Sequence, residues 1–151
     1  MKVTDILRVK GHELYTISPD ESLATACALM AEKDIGSLIV VEHDDLMGVL
    51  TFREVMATAV KKGSAFGAVR VRTAMEDQPV TCTLETDIDE VRRMMLQSHA
   101  RYIPVMDKRM LLGVISLYDV AKTVVDAQNF ENKLLKAYIR DWPQKQSDRA
   151  S

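Results

Sequence analysis

The sequence has only two cysteines, Cys27 and Cys82, and three histidines, His12, His43 and His99. The cysteines share no CxxC spacing and have no histidine cluster beside them. Neither a zinc site nor a disulfide framework is expected, and both thiols read as packing residues. Long apolar runs are also missing: residues 38–41 fall far short of the roughly 20 residues that cross a bilayer. The opening Met1-Lys2-Val3-Thr4-Asp5 brings in polar residues at once, so a cytoplasmic chain with no membrane partner is expected. There is no GxxxxGKS/T loop to cradle a hydrolysable triphosphate, and the histidines belong to no metal or nucleophile motif, so no enzyme and no catalytic cofactor are expected. A strong charge imbalance is absent too. The formal net charge of −2 lacks the electrostatic footprint of a nucleic-acid binder.

What is present is an ordinary globular balance, 47% hydrophobic and 28% charged over 151 residues, which is enough to fold one compact domain or two small units that need each other. The chain repeats itself. Sliding it by 65 positions lays residues 16–60 over 81–125 without a gap, with nine identities that include Met30 with Met95, Val40 with Val105 and Gly48 with Gly113. Apolar positions coincide as well: Leu23 with Ile88, Leu38 with Ile103, Leu50 with Ile115 and Val55 with Val120.

Each copy reads as β-α-β-β-α. A short extended piece (15–18, 80–83) precedes a helix whose apolar face in the first copy is Leu23, Ala26, Cys27 and Met30, spaced i, i+3, i+4, i+7. In the second copy, Asp87-Ile88-Asp89-Glu90 has the form of a capping box. Two β-rich runs follow, 37–41 and 102–106 leading through a polar turn to the segments containing Gly48 and Gly113, which makes a hairpin. A second helix closes each copy, 52–62 or 117–126. Residues 61–67 mix charge with small side chains and read as a linker. Beyond the repeats, Phe130, Leu134, Leu135, Tyr138 and Ile139 form an amphipathic stripe on a further helix. It serves either to cover the chain's own core or to make a dimer interface.

The copies end in Gly48-Val49-Leu50-Thr51-Phe52-Arg53-Glu54 and Gly113-Val114-Ile115-Ser116-Leu117-Tyr118-Asp119. Strand, hydroxyl residue and helix in succession put a hydroxyl at a helix N-terminus, where unpaired N–H groups and the macrodipole favour phosphate. An acid three residues on is placed to accept from both ribose hydroxyls. The same spacing is also a capping box. At Thr51 and Glu54 both readings stay open, Glu being the acid a capping box prefers.

With these endings the sequence resembles tandem cystathionine β-synthase (CBS) domains, over nearly everything from Val3 to Val125, in the layout of small stand-alone bacterial CBS pairs. The resemblance implies an α/β module with two small sheets meeting at a pseudo-twofold axis. Its implied parts are a first repeat at 1–62, a linker at 63–69, a second repeat at 70–127, a C-terminal helix at 128–142 and a flexible tail at 143–151. It further implies a homodimer, an unidentified protein target, and a regulatory adenine nucleotide (AMP, ADP, ATP or NAD) held between repeats. The alternative is a ligand-free scaffold that dimerises through its CBS pair. For the second repeat's cleft it implies Ser116 and Asp119, the latter as the ribose acid. With them come Ala100, Arg101, Tyr102, Ile103, Pro104 and Thr81, where Arg101 faces phosphate. For the first repeat's cleft it implies Thr51, Arg53, Glu54, Ile35, Gly36 and Ser37. That segment lacks a charge, so the clefts are expected to be unequal, although Gly36 leaves room for a ligand shared across the axis. Lys122 is a further phosphate candidate, and His99 is read as surface.

Overall fold

The computed structural model describes residues 1–150, with side chains described for residues 1–137 and for Ile139. The chain divides into two compact units, Met1–Leu117 and Tyr118–Ser151.

In the first unit, helix α1 (Val3–Lys10) leads into strand β1 (Thr16–Ile17), helix α2 (Leu23–Lys33), strands β2 (Ser37–Glu42) and β3 (Asp45–Thr51) and helix α3 (Phe52–Lys62). A 3-10 turn at Gly63–Ala68, helix α4 (Val71–Ala74), helix α5 (Ile88–Ser98) and strands β4 (Tyr102–Asp107) and β5 (Met110–Ser116) complete it. The strands make a β1-β2-β3 sheet, with β1 parallel to β2, and a two-stranded β4-β5 sheet. The second copy's extended piece keeps only one bridge, Cys82 to Val105. Both hairpins carry an irregularity at the same repeat position, Val40/Val41 and Val105/Met106.

Most of the apolar coincidences of the repeat lie in the core. Leu38, Ile103, Leu50, Ile115, Val40 and Val105 are all wholly buried. Leu23, Ala26 and Met30 form the buried face of α2, and Ile88, Val91 and Met95 that of α5. Both helices end on a left-handed residue, Asp34 and His99, at equivalent positions. The expected capping box at Asp87 is not formed: its side chain makes no cap bond, and Glu90 instead pairs with Arg93 one turn along the helix.

The segments before each repeat are exchanged. Val71 belongs to the buried cluster of the first repeat, with Ile17, Leu23 and Leu50. Leu23 N donates to Val69 O (2.8 Å), and Val71 N donates to Glu21 O (2.8 Å). The same pair of bonds recurs with the copies reversed: Ile88 N to Met1 O (2.9 Å) and Val3 N to Thr86 O (2.9 Å). Each leader thus docks on the other repeat. Satisfying backbone groups across the repeats in this way ties each marginal copy to the leader of the other.

The motif glycines lie where the leaders cross. A Cβ on Gly48 would stand 2.4 Å from Glu76 O and 2.9 Å from Met75 Sδ, and one on Gly113 would stand 3.3 Å from Leu7 Cδ2. The presumed linker is not an open connection: Gly63–Ala68 is a 3-10 turn, and Phe66 packs against the first repeat's core.

The second unit is helical. Helix α6 (Leu117–Ala150) takes in both the helix expected to end at Asp126 and the one expected over 128–142. The intervening Ala127-Gln128-Asn129 holds no glycine or proline, so nothing stops the helix. Phe130, Leu134, Leu135 and Ile139 are exposed. The side chain of Tyr138 lies outside the described residues, as do the side chains of 140–150 and the whole of Ser151. The helix bounds include most of the expected tail at 143–151. Among the described residues, no helix is long and apolar enough to cross a membrane, and no cluster of three His, Cys, Asp or Glu could hold a metal.

Candidate functional site

The end of β3 and the start of α3 form one side of a cavity of about 560 Å³. Thr51 is extended (φ −125°, ψ 174°) and caps α3. Its Oγ1 accepts from Arg53 N (3.2 Å), and its N–H and hydroxyl both donate to Glu54 Oε1 (2.8 and 2.9 Å). The capping box left open by the sequence is therefore formed. Glu54 Oε2 accepts from Arg53 Nε at 3.3 Å, and the Glu54 side chain is only 12% exposed. A carboxylate offers about four lone-pair sites, so this bonding does not exhaust it. Arg53 also reaches the other repeat: its guanidinium donates to His99 O at 3.2 Å.

The opposite side of the cavity comes from the second repeat, with Ala100, Arg101 and Tyr102 at the start of β4 and Gln78, Pro79 and Val80 before it. Val49, Phe52 and Met56 supply apolar surface. The cavity thus combines two arginines, a helix N-terminus and apolar side chains that include the Phe52 ring. That is the chemistry needed to hold an anionic ligand carrying a planar apolar group.

A second cavity, of about 220 Å³, is its repeat-related counterpart. Glu13, Tyr15, Ile35, Gly36 and Ser37 from the first repeat meet Val114 and Ser116 from the second. Shifted by 65, these are Gln78, Val80, Ala100, Arg101, Tyr102, Val49 and Thr51. Each cavity is thus built from the β-strand opening of one repeat and the hairpin end of the other.

The grouping read from the sequence placed Ala100, Arg101 and Tyr102 with Ser116, and Ile35, Gly36 and Ser37 with Thr51. The larger cavity brings Ala100 and Arg101 to Thr51 and the smaller brings Ile35 and Ser37 to Ser116, while Gly36 and Tyr102 line both. Each hairpin end thus faces the other copy's strand opening across the pseudo-twofold axis, and within its own hairpin it pairs with its own, Ser37 with Thr51 and Tyr102 with Ser116. Ile103 and Pro104 are buried in the sheet, and Pro104 O accepts from Cys82 N; Thr81 is exposed; neither cavity includes them. Asp119 lies in α6, in the second unit, where its carbonyl accepts from Thr123 Oγ1 (3.0 Å), just as Glu54 O accepts from Thr58 Oγ1 (2.8 Å). Lys122 is exposed on the same helix. His99, read as surface, is exposed, and it also lines the larger cavity. Phe52, Met56, Gln78 and Pro79 were not anticipated there. An aromatic directly after the capping threonine was the one available signal, since an apolar residue at an exposed helix start has no role in a cap.

Two tandem β-α-β-β-α repeats around cavities shared between them define a class of regulatory modules. The chain belongs to the CBS domain family, whose profile matches residues 3–61 and 71–126. It is similar to a CBS-domain protein of Burkholderia ambifaria, with 32% identity and a TM-score of 0.80, covering 85% of this chain and 96% of that one. It is also similar to the mitochondrial CBS domain-containing protein CBSX3 of Arabidopsis thaliana, 26% identical over 91% of this chain and 71% of CBSX3. The structure of CBSX2 in complex with AMP shares the fold, with 22% identity and a TM-score of 0.70, over 84% of this chain and 98% of that one.

Proposed function

We propose that this CBS pair binds an adenine nucleotide in the larger cavity and passes the binding state to a partner protein. The observation that carries this reading is the composite wall: Arg53 and the N-terminus of α3 from one repeat, and Arg101 from the other, surround one space of about 560 Å³. That volume lies within the roughly 300–1,000 Å³ of small-molecule sites, whereas the 220 Å³ of the smaller cavity lies below it. In this reading the base rests against Val49, Phe52 and Val80, Glu54 accepts from the ribose, and Arg53 and Arg101 meet the phosphates. The solved AMP complex of CBSX2, a protein of the same fold, supports the choice of AMP as first probe. Since ligand here bridges residues of both repeats, its binding favours one arrangement of them, which is how a non-catalytic module signals. The exposed Phe130, Leu134, Leu135 and Ile139 on α6 support a homodimer.

A second reading, a ligand-free scaffold, is favoured by one observation: Glu54 already accepts from Thr51 and Arg53, as a structural cap would. A thermal-shift panel of adenosine, AMP, ADP, ATP and NAD, with GMP as control, separates the two. The nucleotide reading expects stabilisation by adenine ligands, since a ligand at 100 times its Kd adds about 2.7 kcal/mol. It also expects Arg101→Ala to weaken ATP more than AMP and AMP more than adenosine. No shift at millimolar ligand supports the scaffold.

A further inference from the structure

Tyr102 and Gly36 are shared by the two cavities: both residues line the larger and both line the smaller. The half-buried Tyr102 ring lies over the backbone of Gly36, so that a Cβ built at position 36 would stand 2.2 Å from Tyr102 Oη and 3.2 Å from Cζ, with Phe52 Cε2 at 3.6 Å. The backbone that carries the ring is fixed. Tyr102 opens β4 opposite Ser116, and the preceding carbonyl, of Arg101, accepts from Leu117 N at 2.7 Å. The ring can therefore leave its place only by rotating about its side-chain bonds, and the space for it lies in the two cavities it lines.

We infer that Tyr102 is a movable wall between the two cavities, whose present place is open to it because Gly36 has no side chain, and that its position sets the room for ligand in the larger one. The inference rests on the nucleotide reading above. Anything that pushes the ring away from Gly36, whether a group in the smaller cavity or a methyl group at position 36, moves it toward the roomier side. There it occupies the apolar space between Val80 and Phe52 that a base would take. The wall thus makes the shape of one cavity depend on the other, with the ring as the moving part.

A double-mutant cycle read by calorimetric titration of AMP into the full chain tests this, using wild type, Gly36→Ala, Tyr102→Ala and the double variant. In the presence of Tyr102, Gly36→Ala is expected to weaken AMP on the order of tenfold. In the Tyr102→Ala background the same change is expected to cost less than about twofold, because no ring remains to be displaced. Tyr102→Phe, which removes the oxygen that comes closest and keeps the ring, is expected to give an intermediate cost, and it serves the cycle if Tyr102→Ala does not fold. Equal costs of Gly36→Ala in the tyrosine, phenylalanine and alanine backgrounds overturn the movable wall while leaving AMP binding intact. Failure of the wild type to bind AMP at all overturns the nucleotide reading, and the wall with it.

Discussion

Substituting alanine for Gly48 tests the exchange of leaders, and its cost follows from the geometry. The added Cβ meets Glu76 O at 2.4 Å, a backbone atom that cannot swing aside. Glu76 is held there by two bonds to Val49, with Val49 N donating to Glu76 O (3.0 Å) and Glu76 N donating to Val49 O (2.9 Å). Reaching ordinary contact requires the segment to retreat by about 1 Å, which stretches both bonds beyond useful range. At about 0.5–1.5 kcal/mol net per bond the loss is about 1–3 kcal/mol, to which displacement of Met75 from the first repeat's core adds. The stiffening of the unfolded chain by alanine returns about 0.4–1 kcal/mol. Gly113→Ala is the internal control. Its new methyl meets only the ends of the Leu7 side chain, at 3.3 and 3.5 Å, and these can shift by a few tenths of an ångström. Urea denaturation of the three proteins, with unchanged m-values, is expected to place Gly48→Ala at least about 1 kcal/mol below wild type and Gly113→Ala within about 0.5 kcal/mol of it. Equal losses at the two glycines, or a larger loss at Gly113, would refute the crossing geometry.

Two further outcomes are expected. Thr51→Val keeps the shape of the side chain but removes the oxygen that accepts from Arg53 N; it should cost about 1 kcal/mol in urea denaturation and weaken AMP, which needs the same helix end. Burial pushes the Cys82 thiol up to about 11 from an ordinary 9.0. The folded state thus retains a proton that the unfolded state releases, and the stability due to this thiol is present in full below pH 9 and is lost as pH rises toward 11. Denaturation from pH 8 to 11 should show a steeper loss for wild type than for Cys82→Ala, and parallel curves would exclude the buried thiol as the cause.

The fold was legible to the extent that it depends on local pattern. The 65-residue period aligned Leu38 with Ile103 and Leu50 with Ile115, and these are wholly buried because the same hairpin is built twice. The period says which residues are equivalent, but it is silent on which copy touches which. The exchanged leaders were therefore not legible: α4 is four residues long, too short for a helical period, and its place is fixed by backbone bonds from Val71 to Glu21 that leave no trace in side-chain type. The same silence hid that each cavity also takes residues from the other copy. Thr51, Arg53, Arg101 and Tyr102 were readable as candidates from their motif positions, whereas their meeting around one cavity is a property of the packed pair. The continuity of α6 was hidden for a different reason, since the apolar stripe is interrupted after Val125 although the helical backbone is not.

The most direct test follows backbone amide resonances of the isotope-labelled chain while AMP is added. The account predicts concerted shifts at Thr51, Phe52, Arg53 and Glu54 from one repeat and at Ala100, Arg101 and Tyr102 from the other, saturating together, with GMP producing far smaller changes. Shifts confined to Ser116 and the residues around Ile35, or none at millimolar AMP, would contradict it.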